Sequence, residues 1–296
     1  MTITKASSLK KTASVFLLFL LFFIQSACTK PAHNPDAQSP GSEVVSGVSL
    51  STVTISPKEQ RLRSLLSSPS AVFTDANGEA SLLAKNILNN TEEFLQDLEG
   101  VLVNDIHDVL ILADKNHYLS ETFVPNDIIP LKANDLYRLN RNDLSLRMPA
   151  EAALREMSQT AKNEGISILV SSTYRSYEYQ KNLYERNVKQ LGKEAADRES
   201  ARPGTSQHQL GTAIDFGSIT DDFALTKAGK WLELNAGNYG FSLSYPQGYE
   251  MVTGYRWECW HYRFIGKEAV LLQKKWFNNV QQYMLEFIHY WRNSEK

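Results

Sequence analysis

Apolar residues recur at three- and four-residue steps in several separated stretches of the chain, and this spacing predicts amphipathic helices. The first stretch covers residues 58–112, with Leu98 and Val101 in the pattern and Asn90 or Thr91 as its internal N-cap. Further helices are predicted at residues 150–163, 177–191, 225–238 and 267–292. We interpret the first stretch as a helical segment that packs on the rest of the chain, with a partner-binding helix as the alternative.

Short runs rich in β-branched or aromatic residues lie between these helices and predict strands. The strands are expected at residues 166–170, 213–216, 241–245 and 255–264, whereas residues 117–131 and 198–212 read as loops. Separated helices with a few short strands predict an α+β fold, in which helices cover a small antiparallel sheet.

The first 27 residues have the pattern of an export leader, which is not part of the fold. Lysines precede a short apolar run at residues 15–24, and the run leads to small residues followed by Cys28. This resembles a bacterial lipobox, whose cysteine is acylated, although Gln25 stands where an aliphatic residue is usual. Residues 28–57 are rich in Pro, Ser, Gly, Ala and Asn, which predicts a flexible linker. We expect an extracytoplasmic lipoprotein anchored in a membrane; the alternative is a secretory signal whose cleavage leaves a free thiol.

Composition and charge exclude several classes of protein. The 296 residues carry a formal net charge of −2 and no basic stripe with interleaved aromatics, so nucleic acid is not an expected partner. The two cysteines, Cys28 and Cys259, are too few for a disulfide scaffold or a cysteine-rich zinc site. The hydrophobic fraction of 42% is enough for a sizeable core.

Three potential metal ligands lie in two short segments of the second half of the chain. His208 and Asp215 belong to residues 206–215, and His261 directly follows Trp260. Two imidazoles and one carboxylate suit zinc, and three protein ligands leave a fourth position open, as in catalytic sites. For each histidine alone, a surface or core position is the default interpretation, so the spacing leaves both readings open.

Glu258 adds a candidate acid–base group three residues before His261. Metal-dependent hydrolysis needs a group that accepts a proton from water and passes it to the departing amine, and a nearby carboxylate can do both. The aromatic run at residues 255–262 is a candidate wall of a cleft, where desolvation would raise the pKa of Glu258. An ordinary surface glutamate is the alternative.

Arg175 follows the predicted strand at residues 166–170. The end of a strand is a rigid position from which a guanidinium can bind a substrate carboxylate or the oxyanion of a tetrahedral intermediate. A structural ion pair is the alternative for this segment taken alone.

Three motifs together resemble the VanY-type D-alanyl-D-alanine carboxypeptidases. They are Ser-Thr-Tyr-Arg-Ser at residues 172–176 with Gln180, Ser-x-His-x-x-Gly-x-Ala-x-Asp at residues 206–215, and Glu-x-Trp-His-Tyr-Arg at residues 258–263. Their order and separations also fit, and the similarity covers about residues 113–266. The resemblance implies a compact hedgehog-like zinc peptidase domain, which we place at residues 113–275. The helical segment at residues 58–112 is then an N-terminal extension, and residues 276–296 form a C-terminal helix.

The resemblance also implies roles for single residues. The positions of the Zn²⁺ ligands are matched by His208, Asp215 and His261. Glu258 matches the catalytic base, and Arg175 matches the residue that contacts the substrate carbonyl or its oxyanion. Gln180 and Ser206 match positions that line the substrate site.

Two positions depart from the family pattern. Thr173 stands where glycine is usual, and Cys259 stands where proline is usual. Residues three apart on a regular strand point to opposite faces. Glu258 and His261 can therefore both face one metal only if the chain bends or bulges between them.

These observations predict a zinc carboxypeptidase that removes the terminal D-alanine from peptidoglycan stem peptides. One alternative is an endopeptidase that cuts stem peptides or cross-links internally. Another is a non-catalytic lipoprotein that binds peptidoglycan. The sequence leaves open whether the bond cleaved joins two D-residues (DD) or an L- and a D-residue (LD).

Overall fold

The computed structural model describes residues 55–67, 73 and 81–294. The predicted leader at residues 1–27, the lipidation site Cys28 and residues 28–54 of the predicted linker lie outside these ranges. Among the described residues, no helix is both long enough and apolar enough to cross a membrane.

The described part of the chain forms ten α-helices: α1 (Pro57–Leu66), α2 (Leu82–Asn89), α3 (Thr91–Asn104), α4 (Met148–Asn163), α5 (Tyr177–Leu191), α6 (Lys193–Glu199), α7 (Lys227–Asn235), α8 (Glu250–Thr253), α9 (Lys267–Trp276) and α10 (Gln281–Asn293). Three begin at a serine whose hydroxyl accepts a hydrogen bond from a backbone N–H of the first turn, namely Ser56, Ser81 and Ser176. The helical pattern predicted up to residue 112 is wrong beyond Asn104. There the Asp105 carboxylate accepts the N–H of Val109 at 2.7 Å, and this local bond competes with the helix.

Seven strands complete the described structure: β1 (Ile128–Pro130), β2 (Tyr137–Leu139), β3 (Ser145–Arg147), β4 (Ile168–Ser172), β5 (Ala213–Phe216), β6 (Phe241–Leu243) and β7 (His261–Phe264). Five form a sheet in the order β2-β4-β5-β7-β6, while β1 and β3 form a separate antiparallel pair. The sheet is antiparallel except for the parallel pair β2–β4 at one edge. The predicted α+β class is confirmed. The sequence missed β1, β2 and β3, which are three residues long and give little periodic signal. The strand predicted at residues 241–245 is present as β6 but ends at Leu243.

Two hydrophobic clusters hold these elements. One packs α4 and α7 against the five-stranded sheet, with Leu154, Trp231 and Phe216 among its members. The other joins α1, α2 and α3 to α9 and α10. Phe264 at the end of β7 packs against both clusters. The N-terminal helices therefore share a core with the C-terminal helices, although about 180 residues separate them, as the Lys275–Glu93 contact illustrates.

The C-terminal stretch predicted as one helix is two helices. Asn278 and Asn279, between α9 and α10, have φ values of 52° and 58°. Asparagine tolerates this left-handed conformation better than most residues, and a helix cannot continue through it. The break places the start of α10 at Gln281.

Candidate metal centre

The three predicted ligands meet where β5 and β7 lie side by side. Asp215 in β5 is directly paired with His261, the first residue of β7, so their side chains lie on one face of the sheet. His208 comes from a short 3₁₀ turn, Gln207–Leu210, that leads into β5. One ligand atom from each of the three residues lies within 4.8 Å of the others, and all three residues are 3% exposed.

Hydrogen bonds indicate which nitrogen each histidine presents. His208 Nδ1 lies 2.7 Å from the carbonyl oxygen of Thr173, which can only accept, so Nδ1 carries the proton and Nε2 has a free lone pair. That Nε2 is 3.2 Å from Asp215 Oδ2, yet the contact lacks hydrogen-bond geometry and Nε2 has no hydrogen-bond partner among the described residues. His261 directs Nδ1 at Asp215 Oδ1, 2.9 Å away. An unpartnered buried nitrogen, a second nitrogen and a carboxylate thus converge on one point.

The protonation states also fit a cation. Burial, followed by the charge of Arg175, lowers the pKa of His208 to about 4. Burial opposes ionisation of Asp215, but the neighbouring His208 and His261 side chains outweigh it and hold the pKa of Asp215 well below its ordinary value. Metal ligands must be unprotonated, and these shifts favour a neutral imidazole and an ionised carboxylate at neutral pH. Two imidazoles and a carboxylate fit Zn²⁺ with one coordination position left over.

Arg175 reaches the same cluster from the end of β4. Two residues of β4 face one of β5 between Val170 and Ser172, and this bulge bends the strand end that leads to Arg175. Its Nη2 donates to Asp215 Oδ2 at 3.1 Å, and its Nε donates to Ser172 Oγ at 3.2 Å. The guanidinium is therefore fixed against a candidate metal ligand.

Gln180, in α5, forms a hydrogen bond with Arg175 and does not line the cavity. It is fully buried, its Oε1 accepts from Arg175 Nη1 at 2.8 Å, and its Nε2 donates to the carbonyl of Ala201 at 2.7 Å. Its predicted contact with substrate stays a prediction. Ser206, by contrast, lines the cavity, and its hydroxyl accepts from the backbone N–H of His208 at 3.3 Å.

Glu258 and His261 face the same cavity because the chain turns between them. The backbone N–H of His261 donates to the carbonyl of Glu258 at 3.2 Å, and Glu258 Oε2 lies 3.8 Å from His261 Nδ1. The strand predicted at residues 255–264 is wrong for residues 255–260, since β7 begins only at His261. Burial, and next the charge of Asp215, raises the pKa of Glu258 to about 8, against the opposite effects of Arg175 and Arg256. A cation held by the ligands would lower this pKa, because positive charge favours the carboxylate.

The two departures from the family pattern are accommodated. Thr173 is buried with its hydroxyl accepting from the backbone N–H of Ser145 at 3.1 Å, and it is not among the residues with positive φ. Glycine is therefore not needed there. Cys259 directs its Sγ to the carbonyls of Thr220 and Asp221, 3.6 Å from each.

The three candidate ligands line a cavity of about 280 Å³ together with Arg175, Ser206 and Glu258. Its walls include aromatic side chains from two segments, Tyr245, Tyr255 and Trp260. Tyr255 and Trp260 belong to the aromatic run that the sequence suggested as a wall, but Tyr262 of that run lies in the core. Tyr245 was predicted only as the end of a strand, and its ring centroid lies 4.8 Å from that of His261.

A buried His-Asp-His cluster with an adjacent carboxylic acid and guanidinium, set in an α+β domain, is the arrangement of a metal-dependent hydrolase. The family model of VanY, D-alanyl-D-alanine carboxypeptidase, matches residues 143–267. The chain is 33% identical over 199 residues to the putative carboxypeptidase YodJ of Bacillus subtilis (strain 168), covering 61% of this chain and 73% of that protein. The chain belongs to the VanY-type carboxypeptidase family and is an enzyme of that class.

Two solved structures resemble the fold. The LD-carboxypeptidase LdcB is 30% identical with a TM-score of 0.53, over 62% of this chain and 86% of that one. The vancomycin-resistance D,D-dipeptidase VanXYg, in complex with a D-Ala-D-Ala phosphinate analogue, is 25% identical with a TM-score of 0.53, over 61% of this chain and 71% of that one. One relative is thus named for LD activity and the other for DD activity.

Proposed function

We propose that the chain is a zinc-dependent carboxypeptidase that releases the terminal D-alanine of peptidoglycan stem peptides. The observation that carries the proposal is the convergence of His208, Asp215 and His261 in a cavity that also contains Glu258 and Arg175. Membership of the VanY family supports D-alanine as the residue released.

The three ligands would hold Zn²⁺ through His208 Nε2, an Asp215 carboxylate oxygen and His261 Nδ1. Zinc at such a site supplies Lewis-acid polarisation of the scissile carbonyl and makes water more acidic. Glu258 accepts the proton of the attacking water and gives it to the nitrogen of the departing D-alanine. Its partly buried position, 3.8 Å from His261, keeps the carboxyl beside the reacting atoms and suits it to both transfers.

Arg175 would stabilise the charge that develops on the carbonyl oxygen. A guanidinium has five N–H groups, and the bonds to Ser172, Gln180 and Asp215 use three of them. The remaining N–H groups are available to a substrate oxygen. Because three bonds already hold the side chain, little reorganisation accompanies charge development, which is the condition for effective electrostatic stabilisation.

The size of the cavity favours release of an end residue over internal cleavage. Its volume of about 280 Å³ lies just below the usual range of ligand pockets, roughly 300–1,000 Å³. A chain end fits such a space more readily than a peptide that continues in both directions.

Digestion of defined muropeptides, analysed by mass spectrometry, tests the proposal. Conversion of pentapeptide to tetrapeptide with release of D-alanine identifies DD activity, and conversion of tetrapeptide to tripeptide identifies LD activity. Both conversions should stop on chelation and return with Zn²⁺. Internal cuts would instead identify an endopeptidase. Zinc-loaded protein that binds muropeptides without cleaving them would identify the non-catalytic lipoprotein and overturn the proposal.

We propose further that Cys28 carries a lipid anchor that holds the enzyme at a membrane facing the cell envelope. Two or three acyl chains give stable membrane attachment, whereas one gives only reversible binding. The Cys28→Ser protein should lose labelling by fatty-acid analogues and leave the membrane fraction. Unchanged membrane partition of this variant would refute the anchor.

A further inference from the structure

A buried network of polar side chains contacts the Nε2 side of the His261 ring. Nε2 lies 3.2 Å from Gln207 Oε1, and the hydroxyl of Ser244 donates to the same oxygen at 2.7 Å. Gln207 Nε2 donates to Oε1 of Gln281 at 3.4 Å. Gln207, Ser244 and Gln281 are 3%, 2% and 1% exposed, so these bonds form out of contact with bulk water.

The hydrogen-bond donors and acceptors of this buried network are paired consistently. Ser244 Oγ also lies 3.2 Å from Gln281 Oε1, but a hydroxyl has one proton, and its contact with Gln207 is the shorter one. Gln207 Oε1 then accepts from Ser244, and it accepts from His261 Nε2 in the tautomer that carries its proton on that nitrogen. The Gln281 amide is held at its other end, since its Nε2 donates to the carbonyl of Ser242 at 3.3 Å. The Gln207 oxygen is thereby held in place beside His261 Nε2.

This oxygen competes with Asp215 for one proton. A neutral imidazole carries a proton on only one ring nitrogen. Asp215 Oδ1, 2.9 Å from Nδ1, draws that proton to Nδ1, whereas Gln207 Oε1 draws it to Nε2. A metal ion can bind Nδ1 only when the proton is on Nε2. The acceptor at Nε2 therefore helps to decide whether His261 is ready to bind the ion.

We propose that Gln207 is a positioning residue that holds His261 as an Nδ1 metal ligand, and that Gln281 and Ser244 hold Gln207 in turn. The inference rests on the proposed zinc site. Gln281 is the first residue of α10 and lies beyond the family match, which ends at residue 267. Helix α10 also shares a core with α1, α2 and α3. The helices outside the matched region thus support the metal centre through the Gln281 amide.

The test compares Gln207→Leu with Gln273→Leu as a matched control. Gln273 is also a buried glutamine, 2% exposed, and its side chain bonds to Ser242 and Asn279. Both variants lose buried hydrogen bonds, and only the first loses the acceptor at His261. Zinc affinity is measured by competition with a chromophoric chelator, and the stability of the zinc-free proteins is measured alongside. We expect Gln207→Leu to bind zinc about 10–100-fold more weakly, and Gln273→Leu to bind like wild type.

Two further variants keep the test decisive if Gln207→Leu folds poorly. Gln207→Glu keeps an acceptor oxygen for His261 but loses the bond to Gln281, so it should bind zinc more tightly than Gln207→Leu. Ser244→Ala should weaken zinc binding in the same direction as Gln207→Leu. In the zinc-free proteins, side-chain ¹⁵N shifts of His261 should reveal a smaller Nε2-protonated share in Gln207→Leu or Ser244→Ala than in wild type.

Equal zinc affinity and equal tautomer shares in wild type, Gln207→Leu and Ser244→Ala would overturn the positioning role while leaving the zinc site intact. A wild-type protein that binds no zinc would instead overturn the proposed function and, with it, this inference.

Discussion

Substitution of Phe94 tests whether the N-terminal helices unfold together with the rest of the enzyme. Its side chain is fully buried in α3, and its ring makes edge contacts with three aromatic rings near the C-terminus. The ring centroids lie 5.4 Å from Trp276, 6.0 Å from Phe277 and 5.2 Å from Phe287. Replacing Phe94 by alanine removes a ring from the contact between the two ends of the chain.

The expected loss follows from the size of the side chain removed. A buried Phe→Ala substitution costs about 3–5 kcal/mol. In a domain of roughly 150–250 residues, each kcal/mol lowers Tm by about 2–4 °C. Phe94→Ala should therefore lower Tm by about 6–20 °C. Because the core around Phe94 joins both ends of the chain, unfolding should stay a single transition.

The assay is thermal unfolding followed by circular dichroism at fixed zinc concentration, since a bound ligand itself raises Tm. Val103→Ala is the matched control, because Val103 lies in the same helix and is 69% exposed. A surface substitution of this kind changes stability by no more than about 0.5 kcal/mol. Refutation would be a Phe94→Ala protein with the Tm of the control, or two transitions of which only the smaller moves. Either result would mean that α3 does not share the cooperative core.

Three other perturbations test the site and its surroundings. Glu258→Gln should keep bound zinc, because Glu258 is not assigned as a ligand. It should lower kcat by about 10²–10⁴-fold with a modest change in KM. Loss of zinc, or near-wild-type turnover, would contradict the role of Glu258 as base. Arg175→Lys should lower kcat/KM by about 10²–10³, because an ammonium cannot reproduce the forked contacts with Gln180 and Asp215; unchanged kcat/KM would remove Arg175 from the mechanism. Hydrogen bonds from Arg202, and then from Lys193 and Tyr184, outweigh burial and hold the pKa of Asp197 below its ordinary value of 3.8. A depressed folded pKa stabilises the protein above the unfolded pKa. In urea unfolding, the advantage of wild type over Asp197→Asn should therefore be full at pH 6 and should shrink as the pH falls below about 3.8; a difference that does not change with pH would exclude this linkage.

The local sequence pattern was sufficient to predict elements that are regular and depend on short-range contacts. The strand at residues 213–216 and the helix at residues 177–191 were predicted with the bounds observed for β5 and α5. Hydrophobic periodicity and the capping serine Ser176 are local properties, so no distant contact was needed to place them. His208, Asp215 and His261 could be selected as candidate ligands from their residue types and from the resemblance of the motifs around them to the family pattern.

Tertiary structure decided what depends on residues far apart in sequence. The turn that lets Glu258 and His261 face one cavity is held by a hydrogen bond from the backbone N–H of Glu258 to the carbonyl oxygen of Tyr245. Because Tyr245 belongs to another segment of the chain, a local sequence pattern does not predict this bond. The contact between Gln207 and His261 joins residues 54 positions apart, and the core around Phe94 joins α3 to α9 and α10. Hydrophobic periodicity shows which face of an element is apolar, but it does not show which other element packs on that face. The choice of ring nitrogen, the position of Gln207 and the pairing of the two chain ends therefore required the folded molecule.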